Sequence, residues 1–140
     1  MILSLSRYCL IFLLLCAATK GMAEDRLKPC PDSPNCVSSL ATKDEQRIAP
    51  MRYGGDRATA RLRLLSALSQ LDNAEILEDT PRYLRVAVTS AVLRFVDDVT
   101  FFFDDENELI QMRSASRSGY YDFGANRRRL EGIRALYEQQ

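Results

Sequence analysis

The chain has 140 residues, and its 46% hydrophobic and 27% charged content is that of one soluble globular domain. Its 19 lysines and arginines balance 19 aspartates and glutamates, so it lacks the basic footprint of a nucleic-acid binder and no nucleic-acid partner is expected. Histidine is absent, which removes Ser-His and Cys-His nucleophile pairs, imidazole metal ligands and a histidine general base, and neither a metal nor a cofactor is expected.

Residues 1–23 read as a targeting segment. Arg7 precedes the apolar run Tyr8 to Ala18, and Gly21-Met22-Ala23 supplies the small residues a signal peptidase reads, so cleavage before Glu24 is expected. Export to the periplasm or cell envelope follows. An uncleaved anchor attaching the chain to the membrane is the alternative, although the run is well short of the ~20 apolar residues that span a bilayer. A third reading is lipidation at Cys16, because Leu13-Leu14-Leu15-Cys16 loosely resembles a lipobox.

Export decides what the remaining cysteines mean. Beyond the leader only Cys30 and Cys36 are left, in CPDSPNC, where Pro31 and Pro34 restrict the backbone and Asp32, Ser33 and Asn35 favour turns. A structural disulfide is expected. A redox pair or half of a zinc site are the alternatives, but the spacing is not C-x-x-C and no further Cys or His completes a tetrahedron.

From there to Gly55 the chain reads as irregular and polar, so residues 24–55 form a disulfide loop and connecting segment ahead of a domain over 56–140. With Asp56 at its N-cap, a helix follows whose apolar stripe is Ala58, Leu62, Leu65, Leu68 and Leu71, widened by Leu64. Four strands come next, Glu75 to Glu78, Tyr83 to Ser90, Phe95 to Phe103 and Leu109 to Ser116. Nothing between them is long enough for a crossover helix. The expectation is an α+β two-layer sandwich, a four-stranded antiparallel meander flanked in sequence by an N-terminal and a C-terminal helix that pack on one face.

Alternation assigns the faces. Leu84, Val86 and Val88, then Phe95, Val99, Phe101 and Phe103, then Ile110 and Met112 point to the core. A four-residue turn at Asp104 to Asn107 pairs Phe103 with Glu108, Val99 with Met112 and Asp97 with Ser114, so Asp97, Ser114 and Ser116 face inward, with Ser90 on the same side. Asp98 and Arg113 meet on the other face as a cross-strand ion pair. The acidic turn lacks the EF-hand spacing for calcium and reads as a solvated hairpin.

The stretch Gln111 to Arg134 carries six bases against two acids. Arg127, Arg128 and Arg129 fall in the first turn of the last helix, where the helix dipole disfavours cations unless an anion lies near. The candidate ligand-binding residues are therefore Asp97, Ser114, Ser116, Arg117, Asp122, Asn126, Arg127 and Arg129, which would hold an anionic small molecule or lipid headgroup. The alternative is an internal network in which Asp97, Asp98, Asp122 and Glu131 absorb the arginines.

The blocks CPDSPNCVSS, RFVDDVTF and IQMRSASRSGYYDFGANRRRLEGIR, in this order, resemble the bacterial and algal family known as Domain of Unknown Function 1499. The resemblance covers Cys30 to about Arg134. It implies an exported or membrane-attached protein and brings no activity, substrate or cofactor with it. Three classes of function stay open: an envelope module binding an anion at the cluster above, a hydrolase using Asp97 or Asp122 with a serine or water, and an interaction protein without a ligand pocket.

Overall fold

A computed structural model describes residues 26–140; the leader and its processing sites lie outside the described residues. The strands are β1 (Cys36–Ser38), β2 (Met51–Arg52), β3 (Ala74–Asp79), β4 (Tyr83–Thr89), β5 (Val96–Asp104) and β6 (Leu109–Ser116), and the helices are α1 (Arg57–Leu68) and α2 (Ala125–Glu138). Among the described residues the architecture is α+β, with six antiparallel strands in one sheet of order β1-β6-β5-β4-β3 and β2 paired beside β1 along β6. The expected meander is present as β3-β4-β5-β6 with β3 at one edge, and β1 and β2 widen the sheet beyond β6.

The extra strands come from the segment read as irregular. β1 sets Cys36 opposite Ala115 and β2 sets Met51 opposite Ile110, so two short pieces share one edge of β6. Strands of three and two residues carry too little alternation to register as a pattern. The disulfide joins Cys30 to Cys36, closing the loop immediately before β1.

Asp56 caps α1 by accepting from the Thr59 backbone N–H at 2.9 Å. The buried stripe differs from the expected one: Ala60, Leu64, Ala67 and Leu68 are buried, Leu65 and Leu71 partly so, while Ala58 is exposed and Leu62 is 65% exposed. Leu62, Leu64, Leu65 and Leu68 spread over about half of the helix circumference, so periodicity admits more than one rotation. Packing selects the face on which Ala60 and Ala67 allow close approach. Those side chains join Leu130, Ile133 and Tyr137 of α2 and the inward residues of β4 to β6 in one core cluster.

Facing along the strands agrees with alternation except at their ends. Leu84, Val86, Val88, Val99, Phe101, Phe103, Ile110 and Met112 are all buried in that cluster. Phe95 is not: it lies before β5 and is exposed, following Arg94 at φ 56°. Ser90 lies past β4, where its Oγ accepts from the Phe95 N–H at 2.9 Å and closes the β4–β5 loop.

The last hairpin is shifted by two residues in register. Phe103 pairs with Ile110, Val99 with Ser114 and Asp97 with Ser116, because the turn occupies Asp105 to Glu108 and not Asp104 to Asn107. Asp104 folds the turn, its side chain accepting from the Asn107 N–H at 3.3 Å and side-chain amide at 2.7 Å. The acidic turn is also more than a solvated tip, since Asp105 accepts from Arg57, from Arg82 at 2.6 Å and from the Tyr53 hydroxyl at 2.9 Å.

The two leucines separate the two rotations of α1 experimentally. Leu64→Ala is expected to cost about 2–5 kcal/mol in urea unfolding, and Leu62→Ala no more than about 0.5 kcal/mol. Comparable losses at both positions would contradict the observed rotation.

Candidate functional site

A shift of two preserves side-chain facing, so the inward polar residues still converge. Asp97 from β5, Ser114 and Ser116 from β6, and Asn126 and Arg129 from α2 meet beneath the end of the sheet where α2 begins. Asn126 is the hub. Its Oδ1 accepts from the Ser114 hydroxyl at 2.5 Å and from Arg129 at 3.0 Å. Its Nδ2 donates to the Asn35 carbonyl at 3.0 Å, to Ser116 Oγ at 3.1 Å and to Asp122 at 2.8 Å. Arg129 donates to Asp97 at 2.5 Å and to Ser114 Oγ at 3.1 Å, with the two ion-pair side chains only 13% and 7% exposed.

Asp122 serves the helix start. Its carboxylate accepts from the backbone N–H of Gly124 and of Asn126, each at 2.9 Å. Burial alone would raise its pKa, but the hydrogen bonds from Asn126 and Gly124 outweigh burial and hold it below the ordinary carboxylate value. The disulfide loop closes the cluster from the other side, because Asn35 donates from Nδ2 to the Gly119 carbonyl at 2.6 Å and accepts from Ser33 Oγ at 2.7 Å.

Two of the expected ligands point elsewhere. Arg117 lies on the outer face of the sheet, where it donates twice to Asp98, at 2.9 Å each. It takes the place beside Asp98 expected for Arg113, since the observed register sets Asp98 opposite Ala115 and Arg113 opposite Thr100. The Arg117 contact is the main cause holding the Asp98 carboxyl below its ordinary value. Arg127 reaches sideways, donating to the carbonyls of Arg47 and Glu45 at 2.9 Å each. Arg128 donates to the Phe123 carbonyl at 2.7 Å. The arginines of the first turn are thus satisfied by one carboxylate, two side-chain oxygens and three backbone carbonyls.

Two features escaped the sequence reading. One is a rim of exposed apolar side chains formed by the β4–β5 loop and the β6–α2 loop, which leave the same end of the sheet because Thr89 pairs with Val96 and Asp97 with Ser116. The other is a cleft on the outer face around Thr100. Isolated apolar residues in loops give no periodic signal, and the hairpin shift alone hid the row through Thr100.

A family model described as "Protein of unknown function (DUF1499)" matches residues 26–136, and the chain belongs to that family. No curated protein and no solved structure matches it.

Removing one partner of the buried pair strands the other's charge. Arg129→Met is expected to cost about 3–5 kcal/mol in denaturant unfolding, and adding Asp97→Asn to recover a large part of that loss. For Asp122 the folded pKa is depressed, so its contribution is fully present above the unfolded value of about 4 and is lost as pH falls through the lower folded value. Asp122→Asn should therefore flatten the stability profile below about pH 4 in acid titrations of unfolding.

Proposed function

We propose that this DUF1499 protein is an exported envelope module that rests on an anionic membrane surface and engages lipid headgroups through the loop rim beside the start of α2. The carrying observation is where the exposed apolar surface lies. Of the nine exposed large hydrophobic residues among the described residues, six belong to these two neighbouring loops: Val92, Leu93, Phe95, Tyr120, Tyr121 and Phe123, with Val92 at 87% and Phe123 at 88% exposure. The rings of Tyr120 and Tyr121 stand 4.8 Å apart and those of Tyr121 and Phe123 6.4 Å apart. A clustered apolar patch of this kind on a polar chain is the signature of an interaction surface.

Backbone conformation supports a purpose for the exposure. Phe123 holds φ 52° and Arg94 φ 56°, left-handed conformations that are rare for side chains of this bulk. The phenyl ring gains no burial in return. Aromatic and aliphatic tips flanked by arginine suit the bilayer interface, where rings sit at headgroup level.

Charge favours a lipid surface over an apolar protein partner. Leaving aside Arg117, which is paired with Asp98 on the outer face, residues 90–95 and 118–128 carry Arg94, Arg127 and Arg128 against the single acid Asp122, and the Asp122 carboxylate is turned onto backbone N–H groups. Each arginine near an anionic leaflet contributes about 1 kcal/mol. The headgroup reading thereby moves from the polar cluster, whose donors and acceptors are used internally, to the adjoining surface. The disulfide supports an oxidising compartment, and a retained or lipidated leader would add a second membrane attachment.

The hydrolase alternative finds little support in the geometry. Asp97 is paired with Arg129, Asp122 caps α2, and the Ser114 hydroxyl, wholly buried, is held by Asn126. The hydrogen bonds of the two carboxylates go to Arg129, Gly124 and Asn126 and none to a serine hydroxyl.

The test is flotation of the processed protein with phosphatidylcholine vesicles with and without phosphatidylglycerol. Binding should need the anionic lipid, weaken with added salt, and fall about tenfold or more in the double variant Leu93→Ser, Phe123→Ser. Equal binding by the variant, or a salt-insensitive interaction with neutral vesicles, would refute the proposal. Self-association in sedimentation, abolished by the same variant, would instead make a second copy the occupant of the rim.

A further inference from the structure

The outer face of the sheet carries a polar row and a cleft. Alternation puts Arg85, Thr100 and Arg113 on this face, and the register sets them directly across β4, β5 and β6, Arg85 opposite Thr100 and Thr100 opposite Arg113. The result is a row with a hydroxyl between two guanidinium groups. The N-terminal segment crosses nearby, Leu27 packing on Phe102, and Arg26 and Lys28 complete a cleft of about 420 Å³. That volume falls in the range of small-molecule sites.

Two groups in this cleft are buried without hydrogen-bond partners among the described residues. Thr100 is 6% exposed, and its Oγ1 makes no hydrogen bond. The buried Nε of Arg113 makes none either. Sheet interiors seldom leave such groups idle, because each unsatisfied buried polar group costs about 1–3 kcal/mol, and more when charged. Among the described residues Arg113 has no ion pair within 4.0 Å. Asp98, the carboxylate that acts on it, is itself gripped by Arg117 at 2.9 Å and approached by Arg85 at 3.8 Å.

Charge in the cleft is unbalanced. Four bases, Arg26, Lys28, Arg85 and Arg113, line it with two acids, Glu78 and Asp98. Glu78 faces Arg26 at 3.6 Å and Arg85 at 3.9 Å, which leaves Arg113 and Lys28 as the cations in excess. The Tyr83 ring forms part of the wall, with the Arg26 guanidinium 5.6 Å from its centre.

We infer that this cleft binds a small organic anion, its phosphate or carboxylate held by Arg113 and Arg85 with the Thr100 hydroxyl donating to an anion oxygen, and its apolar part against Tyr83. Such a ligand supplies the partners that Thr100 and Arg113 lack. The assignment is independent of the loop rim, since none of these side chains belongs to the two rim loops, and it stands or falls separately from membrane docking.

Calorimetric titration of the processed protein with phenyl phosphate, benzoate and inorganic phosphate tests it. At least one aromatic anion should bind with one-to-one stoichiometry and more tightly than inorganic phosphate; the preferred one identifies the anionic group. Arg113→Met should weaken that binding about tenfold or more, and Thr100→Val about threefold to tenfold. Both variants should melt at or above the parent temperature, because each removes an unpartnered polar group, and if Arg113→Met unfolds, Thr100→Val decides alone. The rim variant Leu93→Ser, Phe123→Ser should bind the anion unchanged. Absence of binding by either aromatic anion, or affinity unaltered in a folded Arg113→Met or Thr100→Val protein, would overturn the assignment.

Discussion

Asn126 satisfies, from one buried amide, two strands' worth of polar groups. Its contacts reach Ser114 and Ser116 on β6, the Asn35 carbonyl beside the disulfide, the Asp122 cap and, through Arg129, Asp97 on β5. A buried ion pair of this kind gains little net stability, since desolvation offsets most of the attraction. What it contributes is uniqueness: the start of α2, the ends of β5 and β6 and the loop before β1 each satisfy the others in one arrangement. Shift any of them and a charge or an amide is buried alone.

The arginines of α2 show how a helix start tolerates cations. Near the positive end of the dipole each costs a fraction of a kcal/mol, yet charge-assisted hydrogen bonds to carbonyls more than compensate. Arg127 and Arg134 grip the carbonyls of Glu45, Arg47, Ala49 and Pro50, so the helix holds the segment that would otherwise be loose chain between β1 and β2. Together with the Cys30–Cys36 bridge, these contacts make an irregular third of the domain part of the sheet. Residues 26–28 run past the outer face, where Leu27 packs on Phe102 and Arg26 and Lys28 wall the cleft.

The two proposed surfaces differ in how they are built. The cleft stands on three paired strands, and rigid elements of that sort set guanidinium and hydroxyl groups precisely enough to recognise a small anion. The rim stands on loops, where apolar tips adapt to a fluid, disordered surface without needing exact placement. The cleft offers the buried Thr100 hydroxyl and Arg113 Nε, without partners among the described residues, and the rim offers the exposed rings of Tyr121 and Phe123.

Family membership was legible in three motif blocks, and the inward facing of Asp97 and Ser114 followed from the two-residue period of strands, which any even shift in register leaves intact. The helix cap at Asp56 and the span of β6 were equally local matters, decided by neighbouring residues. What depended on contacts between distant residues was not legible. The hairpin register moved Thr100 from Gln111 to Arg113, the rotation of α1 exchanged Leu62 for Leu64, and β1 and β2 became strands only because β6 offered an open edge. Sequence by itself determined the alternation of side chains along β4, β5 and β6, because that is a property of a single strand. Only the tertiary structure decided which residues stand opposite one another, because register and helix rotation minimise the free energy of whole layers packed together.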